Sequence, residues 1–325
     1  MKKILVTGGA GFIGSHLVNF LISKKKEVII IDSLSLNSKM YFINPKAKFI
    51  KMNIIDINKS KSKFLKNIDV IFHLAAQSSG EPAYDNPKKD LITNGIGTFN
   101  IARFATKNKI KKIIYLSSVA VYGNTHEKKI KENSHKNPDS LYGVSKLAGE
   151  FYIKQTLKNT KTKYTIFRLV STFGPGEDLN NLKKGIISIY SSFLWRNKPV
   201  VVKGSQERIR DLIYIEDVIA ILYESISNKL SNNNIYNLSY SKKYKVNYIL
   251  KTLLKIFDKE TNYKIRQFPS TPGDSFNLST SNIKLLNDFK YKPKFDLKKG
   301  LKTYVYWIKK IPINANLLNY HPFKK

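Results

Sequence analysis

Residues 4 to 32 leave this chain few folds to choose from. Ile4-Leu5-Val6 is a short apolar run, and Thr7-Gly8-Gly9-Ala10-Gly11-Phe12-Ile13-Gly14 follows it at once. Ile13, Leu17, Leu21 and Ile22 then have helical spacing, and Val28 to Ile31 makes a second apolar run that ends in Asp32. Glycines between a strand and a helix allow a tight turn and close backbone approach, and leave helix N-terminal amides aimed at a pyrophosphate. A carboxylate about 20 residues on, at the end of the next strand, accepts from adenosine ribose hydroxyls and repels a 2′-phosphate. The unit points to a bound dinucleotide, NAD in preference to NADP.

The same alternation continues. Phe49 to Asn53, Val70 to Leu74, Ile113 to Ser117 and Thr165 to Leu169 are further strand candidates, and Ile13 to Lys24, Asp90 to Asn108 and Leu141 to Asn159 have helical spacing. Short continuous apolar runs suit strands buried on both faces. The expected fold is α/β, a doubly wound parallel Rossmann sheet with a smaller mixed α/β C-terminal substrate lobe. Residues 1–170 form the expected dinucleotide-binding domain and 171–325 mainly the second lobe, with a return to the sheet around 205–240, where Ile235 to Leu238 looks like a strand.

Composition narrows the function. Cys is absent, which removes disulfides, thiolate metal sites and Cys nucleophiles and suggests a cytoplasmic location. The five histidines show no metal-ligand spacing, so no metal is expected. Neither a signal-peptide core nor an apolar stretch near the roughly 20 residues of a membrane helix is found, so membrane insertion is not expected. The formal charge of +34 invites a nucleic-acid reading, but only six of the 57 basic residues are arginine. The lysines run along the whole sequence without a basic stripe, so the excess reads as compositional habit and no specific nucleic-acid partner is expected. Attraction of anionic substrates or a lipid surface stays compatible with an enzyme.

Tyr142 and Lys146 stand at i and i+4, on one face of a helix. A nearby ammonium stabilises a phenolate and makes it usable in acid–base chemistry. Tyr84 with Lys88, Tyr306 with Lys310 and Tyr320 with Lys324 repeat the spacing, but only Tyr142 follows a buried strand that ends in Ser117-Ser118.

With these elements the chain resembles the extended short-chain dehydrogenase/reductases, in particular the NAD-dependent nucleotide-sugar epimerases and dehydratases, along nearly its whole length. The resemblance implies catalytic roles for Ser118, Tyr142 and Lys146. It implies cofactor contacts from Gly8, Gly11, Phe12, Ile13, Gly14, Asp32, Asp56, Ile57, Leu74, Ala75, Ala76 and Asn94, together with Tyr142 and Lys146. Substrate contacts fall to Ser78, Ser118, Ser171, Asn181, Leu182, Arg208 and Arg210, and Pro272-Gly273-Asp274 and Tyr291-Lys292-Pro293 resemble closing segments. Ser171 stands where the family commonly has Asn, and Thr271 where an Arg often precedes Pro-Gly-Asp; Leu278 falls near a position often held by a bulky tyrosine, hinting at room for an N-acetyl group. The helices at Asp90 to Asn108 and Leu141 to Asn159 resemble those that pair subunits, which implies a homodimer.

The implied reaction is removal of a sugar hydroxyl proton by Tyr142, with hydride passing from the same carbon to NAD. Dehydratases of the family carry an Asp-Glu pair just after the serine position, and decarboxylases usually a Glu; Val119 and Ala120 stand there in this chain. The resemblance therefore favours 4-epimerisation of a nucleotide-diphosphate sugar, a UDP-hexose or UDP-N-acetylhexosamine, through a 4-keto intermediate. Reduction or oxidation at a 4-keto sugar is the alternative. A non-catalytic NAD-sensing or nucleic-acid-binding module is the alternative of another class, and the presence of Ser118, Tyr142 and Lys146 speaks against it.

Overall fold

The computed structural model describes residues 2–323 except 36–42, 184, 260–261, 272–273 and 275–276. In chain order its first half runs β1 (Lys3–Thr7), α1 (Phe12–Ser23), β2 (Glu27–Asp32), β3 (Lys48–Lys51), β4 (Val70–His73), α2 (Gly80–Asp85), α3 (Pro87–Asp90), α4 (Thr98–Lys107), β5 (Lys112–Ser118), α5 (Leu141–Leu157) and β6 (Lys163–Leu169). The second half adds β7 (Ser171–Phe173), α6 (Ile186–Trp195), β8 (Val200–Lys203), β9 (Ile209–Arg210), β10 (Leu212–Tyr214), α7 (Ile215–Glu224), β11 (Asn234–Leu238), β12 (Tyr244–Lys245), α8 (Val246–Ile256), β13 (Ile265–Phe268), α9 (Ile283–Phe289) and α10 (Leu297–Lys309).

Seven strands form one parallel sheet in the order β11-β6-β5-β4-β1-β2-β3, as a doubly wound fold requires. The strand order reverses between β1 and β4, and beyond the C-terminal ends of strands at such a point an open sheet binds its ligand. Successive side chains on a strand face opposite ways. Ile4, Val6, Val28, Ile30 and Phe72 join one buried cluster, and Leu5, Ile29, Ile31, Ile71 and Ile113 the other. Both faces are therefore apolar, which is why the strands read as continuous runs. The first cluster extends through Leu194, Leu250 and Leu301 into α6, α8 and α10, so the later part of the chain packs on that face of the sheet. Its remaining strands make three short pairs, β7 with β10, β8 with β13 and β9 with β12, while β11 returns beside β6.

Two elements differ from their sequence expectation, each for a local reason. β3 stops at Lys51 because the Asn53 side chain accepts from the Ile55 amide and starts a 3-10 turn over Ile54–Lys59. The helix expected over Asp90 to Asn108 is instead α3, a π-helical stretch at Leu91–Gly97, and α4. π-Helical turns in α-helices are frequent at functional sites, and this one carries the buried Asn94.

Candidate active site

Beyond the C-terminal ends of β1, β4, β5 and β6 lies a cleft of about 840 Å³. Its floor is the glycine turn. Gly8 has φ +71°, and a Cβ there would meet the Ala75 amide nitrogen at 2.7 Å; a Cβ on Gly14 would stand 2.0 Å from the Gly8 carbonyl oxygen. Neither position tolerates a side chain, because the β1 turn, the α1 start and the β4 loop occupy the same space. Gly11 caps α1 without a side-chain hydrogen bond, and the first turn of α1 holds no acid. The helix thus presents backbone amides and the positive end of its dipole to the cleft, as a pyrophosphate requires. At its rim the Asp32 carboxylate accepts from the amides of Ala10 at 3.1 Å and Leu34 at 2.9 Å, which fixes it at the end of β2. Gly8, Gly11, Phe12, Ile13, Gly14 and Asp32 all line the cleft, and this donor set fits a dinucleotide diphosphate.

Leu74, Ala75, Ala76 and Ser78 line it as well. Asn94 does not. It lies buried behind the wall, where Oδ1 accepts from the Gln77 amide at 3.0 Å and Nδ2 donates to the Gln77 carbonyl at 2.9 Å, to Asp90 Oδ1 and to Ser145 Oγ. Its place is to clamp the loop, not to line the cofactor cleft, because the π-turn directs it inward. Two more of the expected residues do not line the cleft: Ile57 is fully buried in the second core cluster, and Asp56 is exposed and paired with Lys59 at 3.3 Å. The cleft wall is made there by Met52, Asn53, Ile54 and Ile55.

Ser118, Tyr142 and Lys146 converge from β5 and α5 onto one wall. α5 starts here because Ser140 caps it, accepting from the Gly143 amide at 3.1 Å. Burial pushes the Tyr142 phenol up to about 12, opposed by a hydrogen bond with Ser118. One turn on, the Lys146 ammonium donates to the Leu116 carbonyl at 2.6 Å and sits 4.3 Å from the centre of the Tyr115 ring. Burial brings Lys146 down to about 7, with Glu150 and then Asp90 opposing the shift. Behind the wall, Ser117 Oγ and both Arg168 Nε and Nη2 bond the Glu150 carboxylate at 2.6–2.9 Å. Tyr115, Asp90, Ser145 and the Glu150–Arg168 pair were not legible as site residues, since single polar residues inside apolar runs carry no pattern.

From the chain beyond β6 come Ser171, Asn181 and Arg210. Leu182 is 42 % exposed and is not among the residues that line the cleft. Arg208 lines a neighbouring hollow instead, and both Arg208 and Arg210 pair with Asp274, a cleft residue. Burial, then repulsion from Arg208, lowers Arg210 to about 10. Two guanidiniums against one carboxylate give this wall an excess positive charge. Pro272 and Gly273, from the same segment, lie outside the described residues, as does Lys324. Tyr291 bonds Asp217 and serves packing.

Three histidines are held neutral. His73 bridges Thr7 at 2.8 Å and Thr98 at 2.9 Å beneath the cofactor loops, and burial, then Lys146, lowers it to about 3. Burial lowers His16 to about 4 and, with help from His16, His321 to about 3. Between pH 6.5 and these values the unfolded chain binds protons that the native state refuses, so stability is lost as pH falls through that window. Asp211, raised to about 7 by burial, acts oppositely, since the native state alone holds its proton. Burial also raises Asp90, Glu216 and Glu224, in the same sense as Asp211 but with small shifts beside those of the three histidines, so the thermal midpoint followed by circular dichroism is expected to drop from pH 7 to about 5. A midpoint that rises on acidification contradicts this assignment.

Comparison with known proteins agrees with the geometry. Residues 4–239 match the model of the NAD dependent epimerase/dehydratase family, and the chain belongs to that family. A Methanocaldococcus jannaschii protein named, provisionally, as a UDP-glucose 4-epimerase is 35 % identical over 94 % of this chain and 98 % of its own length. The crystal structure of the Thermotoga maritima UDP-glucose 4-epimerase with UDP-glucose superposes with a TM-score of 0.89 at 30 % identity, covering 95 % of this chain and 99 % of the other. The Bacillus cereus UDP-glucuronic acid 4-epimerase, solved with UDP-glucuronic acid and NAD, gives 0.87 at 26 % identity, with 95 % and 99 % covered. The protein is an enzyme of the nucleotide-sugar epimerase/dehydratase family, and its cofactor is NAD.

Proposed function

We propose that the protein is a 4-epimerase of a UDP-linked sugar, a hexose or N-acetylhexosamine. The observation that carries this choice within the family is the turn Val119–Tyr122, which places Val119 and Ala120 on the cleft wall directly after Ser118. Aliphatic side chains there supply neither acid nor base for elimination of water. NAD, when bound, would supply the hydride acceptor and donor for this chemistry. Tyr142 takes the proton from the sugar 4-hydroxyl and gives it back on the return, and Ser118 holds the same oxygen by a hydrogen bond. Lys146 fixes the nicotinamide ribose, and Asp32 the adenosine ribose. Arg210 with Ser171 and Asn181 faces the sugar diphosphate, so residues 171–325 mainly serve the substrate and residues 1–170 the cofactor.

The same reading makes the protein a cytoplasmic homodimer. α5 leaves Val144 and Phe151 at least half exposed, and the adjoining π-turn leaves Leu91 56 % exposed. A second copy covering these apolar side chains accounts for their place on otherwise polar helices.

The test is incubation of the purified protein with UDP-glucose, UDP-galactose and their N-acetyl counterparts, followed by NMR. Epimer should form without added cofactor. No epimer here, together with stoichiometric consumption of reduced cofactor when a UDP-linked 4-keto sugar is supplied, replaces the reading with that of a 4-keto-sugar reductase.

A further inference from the structure

The lysines that look scattered in sequence are gathered by the fold. In a parallel sheet every strand starts at one edge, and every helix that feeds a strand ends there. Backbone hydrogen bonds trace this edge directly: Asp69 N to Lys3 O, Lys111 N to Asp69 O and Lys163 N to Lys111 O, each at 2.9–3.1 Å. Pairing of Lys3 with Glu27 and of Ile29 with Lys48 carries the row on to β3. Six strands at about 4.8 Å spacing make a face roughly 25 Å wide.

Lys24, Lys25 and Lys26 lead into β2, Lys46 into β3, and Lys63 and Lys66 into β4. Lys109 and Lys111 lead into β5, and Lys158 and Lys161 into β6; all ten except Lys26 are exposed. Among the described residues of these turns the acids are Glu27 and Asp69, and both are engaged, Glu27 with Lys3 and Asp69 with Lys111. The cleft at the opposite edge is balanced: Asp32, Glu177, Asp178 and Asp274 line it with Lys88, Lys89, Lys146 and Arg210. The charge is polarised away from the chemistry, so it does not serve to draw anionic substrate into the cleft.

Two further features mark this edge, the first of them shared with Lys290 at the end of α9. Lys25 and Lys109 occupy left-handed backbone positions, with φ 54° and 51°, where the equivalent turns use Asn67, Asn159 and Asn233. A left-handed conformation suits Asn better than Lys, so lysine at these turns is held at some local cost. Phe64, 38 % exposed beneath the Lys48 ammonium, and Leu230, 61 % exposed on the loop into β11, add apolar side chains among the charges.

We propose that this strand-start edge docks reversibly on an anionic lipid surface. A broad, shallow field of lysines with a few apolar tips matches a bilayer carrying negative headgroups. A nucleic acid would call for arginine forks and an aromatic stacking groove, which the edge lacks among the described residues. Docked this way, the cleft mouth faces the solution and stays open to a soluble nucleotide sugar.

The test is co-sedimentation of the full-length protein with phosphatidylcholine vesicles, with and without phosphatidylserine, over a range of salt. Binding should require phosphatidylserine and weaken steeply with salt. Replacing four lysines together, Lys24→Gln, Lys25→Gln, Lys63→Gln and Lys66→Gln, should lower the partition coefficient at least about a hundredfold. Thermal midpoint and NAD content should stay unchanged, since none of the four lines the cleft. Equal binding to both vesicle types, full binding by the quadruple variant, or tighter binding to an RNA duplex at the same ionic strength overturns the proposal.

Discussion

Tyr142→Phe should lower the turnover of the purified enzyme by about a thousandfold while leaving bound NAD, substrate affinity and thermal midpoint close to those of the parent. The hydroxyl is the only atom removed, and the ring remains packed in the cleft wall at the start of α5. Burial holds the phenol at about 12, above its ordinary value, so it must release its own proton to solvent before it can take the one on the sugar 4-hydroxyl, a release that the positive charge of bound NAD would favour. Its hydrogen-bond partner is Ser118, and both face the space in which the substrate oxygen has to lie. Loss of the hydroxyl therefore removes the path for the substrate proton without disturbing the glycine turn or Asp32. NMR of epimer formation, with NAD released by denaturation and measured by absorbance, checks both halves of the expectation. Full turnover in the variant would refute the role of Tyr142, whatever the identity of the sugar.

How much of this was legible in the sequence depends on whether a residue acts through backbone geometry or through a long-range contact. Gly8, Gly14 and Asp32 were readable because a turn with no room for Cβ, followed by a strand ending in a carboxylate, leaves a fixed spacing. The strands were readable because both of their faces are buried. Asn94 was placed by resemblance alone, and helical spacing carries no sign of the π-turn that sets it against Gln77. Lys146 and Tyr142 share a helix face as expected, yet Leu116 and Tyr115, from β5, take the ammonium, and spacing along one helix contains no information about them. The edge of lysines shows the same limit. Lys24 and Lys158 are far apart in sequence and become neighbours of one surface only when the strand order is known.

The largest stability loss is expected from Glu150→Leu, about 3–5 kcal/mol. Arg168 and Glu150 are 2 % and 3 % exposed, and the guanidinium meets the carboxylate through Nε at 2.9 Å and Nη2 at 2.7 Å. Its remaining nitrogen donates to the Tyr122 hydroxyl at 2.9 Å and the Glu132 carbonyl at 2.8 Å, and Tyr122 in turn donates to Asn237 on β11. Those neutral acceptors cannot neutralise the guanidinium; burial works against its charge, and the Glu150 carboxylate more than offsets that and keeps the proton on Arg168. Removing the carboxylate leaves a buried cation without its counter-charge, and also takes away the acceptor of Ser117 Oγ. A midpoint lower by about 4–7 °C corresponds to that loss for a chain of this size. Adding Arg168→Met should recover much of the difference, because a fully apolar replacement no longer buries an unpaired charge. Activity should not recover with it. Glu150 lies one turn after Lys146 and is the largest influence opposing the drop in that ammonium's pKa, so the double variant should fold well yet turn over slowly at pH 7 and faster at lower pH, where Lys146 regains its proton. A double variant with parental turnover at pH 7 would show that Glu150 is a packing partner of Arg168 and has no part in setting the charge of Lys146.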